Sequence, residues 1–509
     1  MTNLKYITRS LILGISIILM SCTNDFESIN TDTKKATSID GKFLLPSAQS
    51  TLINHYINYD VNSNVMGVQA QHFSQYNYTD ESNFVFRDGL LDSYIGNYYY
   101  VAGNLVKLQT AIDEKPEAIL STDKKNAWRL ITATLKAFTI QHVTDANGPA
   151  MYSKAFDLKN KTPEYDSQQE IYETLLSELY TVVSTVKTET NLGLESQDII
   201  YQGDLMKWKK FANSIMLRLA MRVSDVAPAL SIEYTNKAVN ENGGVFTSNV
   251  DNALYQYLSS PDANIYYESI LDGWSPPIAP SSTIYDIQTK NKDPRKNMYW
   301  SATYWGDEGA VKYGEKGDFW SGSIINPQYV GNKTIGTYGK YYSIFYNGKQ
   351  DAPGIFMDYA EVEFFLAEAA LRGGYDLTGT AKEHYNNGVT ASIEYNAELV
   401  SYEGDVASEI ATYLAQDSID FEKATDKMYR IGEEKWVALL FQGPEAWAEA
   451  RRLDAPTMSL PKQKEMSDLP MRLVFPVREK ILNGINVKEA ASKLKSSDNF
   501  TTKLWWDTK

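Results

Sequence analysis

Four tryptophans, Trp274, Trp300, Trp305 and Trp320, fall in one stretch of chain among Gly, Ser, Asp and Pro. That company is poor for core packing. It suits an exposed platform on which a flat, amphipathic ligand can stack. Asp272, Asn297 and Asp307 stand beside these aromatics and carry groups that hydrogen-bond hydroxyls. Tyr76 and Tyr78, in QHFSQYNYTDES, sit in an earlier segment of similar character. With 35 Tyr and 10 Trp in 509 residues, the chain is rich in such surface. An oligosaccharide is the expected ligand, and a peptide is the second. Trp128, Trp208, Trp436 and Trp447 lie in helical patterns instead and are expected in the core.

Other chemistry is poorly provided for. Glu361 and Glu368 lie one heptad apart and could pass for an acid–base pair. Their rise along a helix is about 10 Å, beyond a retaining glycosidase and at the edge of an inverting one. Capping and a Glu368–Arg372 pair at i,i+4 are the expected roles, and Arg451-Arg452 reads as a scaffold salt bridge. The four histidines, His55, His72, His142 and His384, make no HExxH or HxH spacing and are expected in ordinary packing. Cys22 is the only cysteine, so an internal disulfide and a Cys-based metal site are excluded. No EF-hand pattern is present. No catalytic residue, cofactor or metal site is expected.

The elements that must position the aromatics are mostly helical. Tyr98 to Ile112 and Lys124 to His142 have helical apolar spacing. Ile171, Leu175, Leu179, Val182 and Val186 share one helix face, and Asp166 to Gln169 has capping-box spacing. Asp204 opens another helix, with Arg218 and Arg222 off its apolar stripe. Asp358 begins a helix that is apolar nearly all round and ends at Gly373-Gly374. Ala381, Tyr385, Val389 and Ile393 mark its partner. Lys427 to Phe441 makes a helix, Gly443 ends it, and Pro444 starts the next. Helix–loop–helix pairs of roughly 35 residues result, about the tetratricopeptide period. Residues 243–354 read differently, as a long irregular insertion with a few short strands. Such a stretch is functional or disordered, and its aromatic density argues against disorder.

The chain begins with Lys5 and Arg9, a short uncharged apolar core and small residues up to Cys22, the pattern of a secretory signal over residues 1–21. The core is too short to span a bilayer. Residues 22–40 are polar and read as a tether, ahead of a body at 41–509. The formal charge is −15; losing residues 1–21 removes Lys5, Arg9 and no acid, leaving −17. That disfavours nucleic acid as a partner.

Leu19-Met20-Ser21-Cys22 resembles the lipobox of bacterial lipoproteins, in which the signal is cut before the cysteine and the cysteine is acylated. Four further segments resemble the SusD/RagB family of nutrient-binding outer-membrane lipoproteins, and its SusD-like branch in particular. They are DANGPAMYSKAF (145–156), MDYAEVEFFLAEAALRGG (357–374), IGEEKWVALLFQGPEAWAEARRLDAP (431–456) and DLPMRLVFPVREKILNGIN (468–486). The resemblance implies a mainly α fold of tetratricopeptide-like helix pairs packed against an irregular, ligand-facing part. It implies a lipid anchor at Cys22 on the outer face of the outer membrane. It also implies a SusC-like TonB-dependent transporter as partner, and no catalysis. Two rival readings remain. One is a lipid-anchored glycoside hydrolase. The other is a helical scaffold without ligand, which requires the aromatics of 243–354 to be buried.

Overall fold

The computed structural model describes residues 41–75, 80–157, 159–271, 278–300, 350–461 and 466–509. The protein is mainly α. Helix α1 (Gly41–Tyr56) is followed by a nine-residue π-helix (Tyr59–Gly67) and strand β1 (Phe73–Gln75). Then come α2 (Asp88–Asp113), α3 (Thr122–Asn147), α4 (Gln168–Thr185), α5 (Leu205–Arg222) and α6 (Pro228–Asn240). Each packs on the next, from α1 on α2 through α5 on α6, as tetratricopeptide-like pairs do.

The middle of the chain holds β2 (Ala253–Tyr255), α7 (Ile265–Leu271), β3 (Ile278–Pro280), α8 (Ser282–Lys290) and α9 (Arg295–Tyr299). After it come β4 (Gly354–Met357), α10 (Tyr359–Arg372), α11 (Ala381–Leu399), α12 (Val406–Leu414), α13 (Lys427–Ala438) and α14 (Gly443–Leu453). Two short helices, α15 (Val477–Leu482) and α16 (Gly484–Ser492), lie near the C-terminus. The described part of 243–354 therefore carries three short helices as well as the expected strands. Helices of five to nine residues are too short to show a periodicity against a Tyr-rich background.

Local chemistry sets the boundaries. Asp204 and Asp358 cap α5 and α10 through their carboxylates, as their positions predict. The capping box of α4 is made by Ser167 and Glu170, one residue later than expected. Asp166 is committed elsewhere: its carboxylate accepts from the amides of Tyr152 and Ser153 at 3.0 and 2.8 Å. Pro444 stands in the first turn of α14, where its missing N–H costs nothing. Gly443 has a second reason to be glycine. A Cβ there would lie 2.2 Å from the Asn62 carbonyl oxygen of the π-helix. Helix α14 can therefore lie against the π-helix, and the Gly443 amide donates to Asn62 Oδ1 at 2.7 Å.

Candidate functional site

Strands β1 and β3 form a two-stranded antiparallel ladder that pairs Phe73 with Pro280, Ser74 with Ala279 and Gln75 with Ile278. Chain leaves this ladder at Gln75 towards Tyr76 and Tyr78, and reaches it at Ile278 from Asp272 and Trp274. The roots of two candidate ligand segments are thus Cα partners. The first root is clamped. The Gln75 amide donates to Ser82 Oγ at 3.0 Å, and the Ser82 amide donates to Gln75 Oε1 at 2.9 Å. Gln75 Nε2 donates to Glu81 Oε2 at 2.8 Å and also to Asn64 of the π-helix. Arg87 Nε donates to Glu81 Oε1 at 2.7 Å. Gln75, Ser82 and Glu81 are buried, so both ends of the four-residue segment 76–79 are fixed in a satisfied polar frame. Sequence reasoning did not single these residues out. Their signal was weak: short polar side chains flanking two tyrosines.

Trp300 overturns one expectation. It is 8 % exposed, not a platform. Its indole meets Phe73 of β1 edge-on at 6.2 Å, and its Nε1–H donates to Gln288 Oε1 at 2.8 Å. An indole with its N–H satisfied and its ring against a strand is a packing residue. Tyr255, Tyr257, Tyr266, Tyr285 and Tyr299 are buried as well. For these described aromatics the condition set by the scaffold reading is met. Their Gly- and Pro-rich surroundings did not predict exposure, because short helices and strands fold them inward. Asn297 is exposed and borders a cleft of about 500 Å3. Tyr76, Tyr78, Asp272, Trp274, Trp305, Asp307, Trp320 and Cys22 lie outside the described residues.

Trp128, Trp208, Trp436 and Trp447 are buried as expected. Trp436 also serves the ladder. Its Nε1–H donates to the Ala70 carbonyl at 2.7 Å, and His72 Nε2 bonds the Trp436 carbonyl at 2.9 Å. This reciprocal pair ties α13 to the turn that feeds β1.

The two glutamates proposed as a mock catalytic pair are consumed by a buried ion network. Glu361 takes Arg218 on both oxygens at 2.7 Å. Glu368 takes Arg452 at 2.5 and 2.6 Å and Arg372 at 2.8 Å, the last being the expected i,i+4 pair. Glu445 and Glu449 hold Arg222, and Glu449 also holds Lys435 at 2.7 Å and Arg452 at 2.7 Å. Burial pushes the Glu361 carboxyl up to about 7 against the pull of Arg218. A raised carboxyl is the mark of a general acid, yet this one has no exposed surface and both oxygens face one guanidinium. Burial would also raise Glu368, but Arg452 and Arg372 outweigh it and hold that carboxyl below its usual range. Removing one partner of such a network costs roughly 3–5 kcal/mol. Asp145 of α3 joins it through Arg222 at 3.5 Å, so its role is to hold α3, α5, α10, α13 and α14 together.

The remaining signature segments belong to the same scaffold. Asn147 Nδ2 donates to the Leu473 carbonyl at 3.0 Å, and Arg472 Nη2 donates to the Asn147 carbonyl at 2.9 Å. Arg451 bridges the carbonyls of Met471 and Asp145 at 2.6 and 2.9 Å. Asn483 and Asn486 donate to the carbonyls of Pro163 and Thr162 at 2.8 and 2.9 Å. All four segments are thus interlocked by charge and backbone bonds.

Burial drives His55 down to about 4 and His72 to about 3, and both stay neutral at ordinary pH. His142 is likewise held well below its ordinary value by burial and by Arg218 and Arg222. Among the described residues no group of three or more His, Asp or Glu side chains converges as a metal site would require. No helix among them is long and apolar enough to cross a membrane.

Residues 32–476 match the SusD-like family, described as starch-binding and associating with the outer membrane. Solved structures agree over nearly the whole chain. A chitin-binding protein is 25% identical, with a TM-score of 0.74 over 92% of this chain and 100% of its own. A SusD homolog from Bacteroides uniformis is 25% identical, with a TM-score of 0.71 over 92% of this chain and 100% of its own. A chitin-binding SusD homolog from Flavobacterium johnsoniae is 23% identical, with a TM-score of 0.69 over 91% and 98%, and shows the same fold. No curated protein sequence matches the chain.

Proposed function

Since the chain belongs to the SusD-like family of starch-binding proteins associating with the outer membrane, we propose that it is a surface lipoprotein that captures an oligosaccharide. Acylated Cys22 anchors it, and it passes its ligand to a TonB-dependent outer-membrane transporter. The observation that supports the reading is the β1–β3 ladder, in which Gln75 and Ile278, the described residues bordering the Tyr76/Tyr78 and Asp272/Trp274 segments, are Cα partners, with Gln75 held in a buried, hydrogen-bonded frame. Binding residues on loops held by a rigid scaffold are a recurrent arrangement. Trp305, Asp307 and Trp320 are further proposed contacts, whereas Trp300 packs against Phe73 of β1. Two chitin-binding proteins of the same fold favour a polysaccharide fragment as the ligand class.

The proposed role is capture without catalysis, and one observation supports it. The carboxylates best placed to imitate an acid–base pair are spent on arginines in the core. Holding a large glycan beside a transporter raises its effective concentration there, with no need for tight binding. The test is calorimetric titration of the detergent-solubilised full-length protein with maltohexaose and chitohexaose, alongside an assay for cleavage products. Saturable binding of at least one sugar without cleavage is expected. Cleavage, or indifference to every glycan on a wider panel, overturns the reading.

A further inference from the structure

The end of α8, the α8–α9 turn and α9 face α12 and the loop before it across the cleft that Asn297 borders, about 500 Å3 in volume. Its lining is polar and includes Gln288, Asn297, Tyr402, Ser408, Glu409 and Thr412. Two side chains there have unmet hydrogen-bonding capacity. Gln288 is fully buried and its Oε1 accepts from the Trp300 indole at 2.8 Å. An indole nitrogen only donates, so the amide has one orientation. Its Nε2, with two protons, has no partner. Glu409 accepts from the Tyr402 hydroxyl through Oε1 at 2.7 Å, while its shielded Oε2 has no partner. A buried polar atom left unpaired costs about 1–3 kcal/mol, and native proteins carry few of them without a reason.

The orphaned groups define what would satisfy them. One is an amide donor on α8 and the other a charged acceptor on α12. A cation would answer Glu409 but leave the Gln288 amide unmet and would meet Lys292 and Lys296 in the same lining, while an anion would leave the Glu409 acceptor unmet. A neutral ligand bearing several hydroxyls answers both, because each hydroxyl donates and accepts. Asn297 supplies a second amide at the lip, Ser408 and Thr412 supply hydroxyls, and Tyr402 supplies ring surface.

We propose that this cleft is a saccharide subsite that takes one pyranose unit of a glycan whose remainder lies at the β1–β3 ladder. The inference rests on the glycan-binding reading above. The two places are joined by a single side chain. Trp300 gives its N–H to Gln288 at the cleft and its ring to Phe73 at the ladder. A sugar that orders Gln288 is thereby felt at the root of the tyrosine segment.

Asn297→Ala, Glu409→Gln and the double variant, each in the full-length protein in detergent, are titrated with maltohexaose and chitohexaose. Asn297 is exposed, so its truncation leaves the fold alone. About tenfold weaker binding of the preferred hexasaccharide by the double variant, at unchanged melting temperature, is expected from two lost hydrogen bonds. Hydrogen exchange on the unaltered protein supplies a second readout. Saturating sugar should protect amides in 286–297 and 402–413. Wild-type affinity in the variants, with protection confined to other segments, overturns the subsite and leaves the glycan-binding reading standing. Absence of binding to any glycan by the unaltered protein overturns both.

Discussion

Trp300 shows what a residue's type conveys and what it leaves out. Its neighbours Tyr299, Ser301 and the Gly-rich chain beyond suggested an exposed ring. The indole instead closes the end of α9, with Phe73 on its edge and Gln288 on its nitrogen. Trp300→Ala would open a cavity beneath the ladder and strand the Gln288 carbonyl. A loss of about 3–5 kcal/mol in unfolding free energy is expected, the range for deleting a buried aromatic. Chemical denaturation measures it directly. A surface stacking residue would lose less than about 0.5 kcal/mol, and that result would return Trp300 to the ligand face. The core tryptophans were legible because helical spacing placed them on apolar stripes. Arg218 and Arg222 were not. Their distance from the stripe was visible, but the acids that neutralise them, Glu361, Glu445 and Glu449, lie more than a hundred residues away.

Elements were most legible where punctuation is strong. Asp358 and Gly373 bracket α10 and Pro444 stands in the first turn of α14, as the residue types require, but Gly443, read as the end of the preceding helix, is the first residue of α14, since α13 stops at Ala438. The contact between α10 and α11 contains a device that punctuation does not reveal. His384 of α11 places Nδ1 2.7 Å from Glu363 of α10 and Nε2 2.8 Å from the Thr378 carbonyl in the connecting loop. Both partners are acceptors, so both ring nitrogens must carry protons and the imidazole is cationic. Burial opposes that charge, but Glu363 and the Thr378 carbonyl outweigh it and raise His384 above its usual value. A group raised by folding gives stability that is full below its unfolded value near 6.5 and is lost as pH climbs through the folded value. Stability should therefore fall as pH rises above that range. His384→Gln should abolish this part of the pH dependence, read from unfolding midpoints between pH 5.5 and 8.5. An unchanged profile in the variant would show that the clamp carries no charge.

At the scale of the molecule, the helical body was readable from periodicity and the four signature segments. The ladder that borders the candidate segments was not, because β1 and β3 are three residues each and some two hundred residues apart. One surface bears on the proposed transporter. Helices α15 and α16 leave Ile481, Leu482 and Ile485 exposed at 75%, 61% and 86%, beside Tyr100 of α2 at 63%. Next to them lies an apolar groove of about 770 Å3 between α2, the 151–163 segment and α15. On a chain of formal charge −15, aliphatic side chains this exposed and this close together mark a contact surface better than they mark a free one. Ile481→Glu with Ile485→Glu adds two charges to that face and disturbs no buried group. The double variant should keep its melting temperature and its glycan affinity, and should lose co-purification of an outer-membrane β-barrel protein from detergent-solubilised membranes. Cys22→Ala separates anchoring from docking. It should release the protein from the membrane fraction while the solubilised body still captures the barrel. Undiminished capture by the double variant would assign the barrel to another face of the helical body.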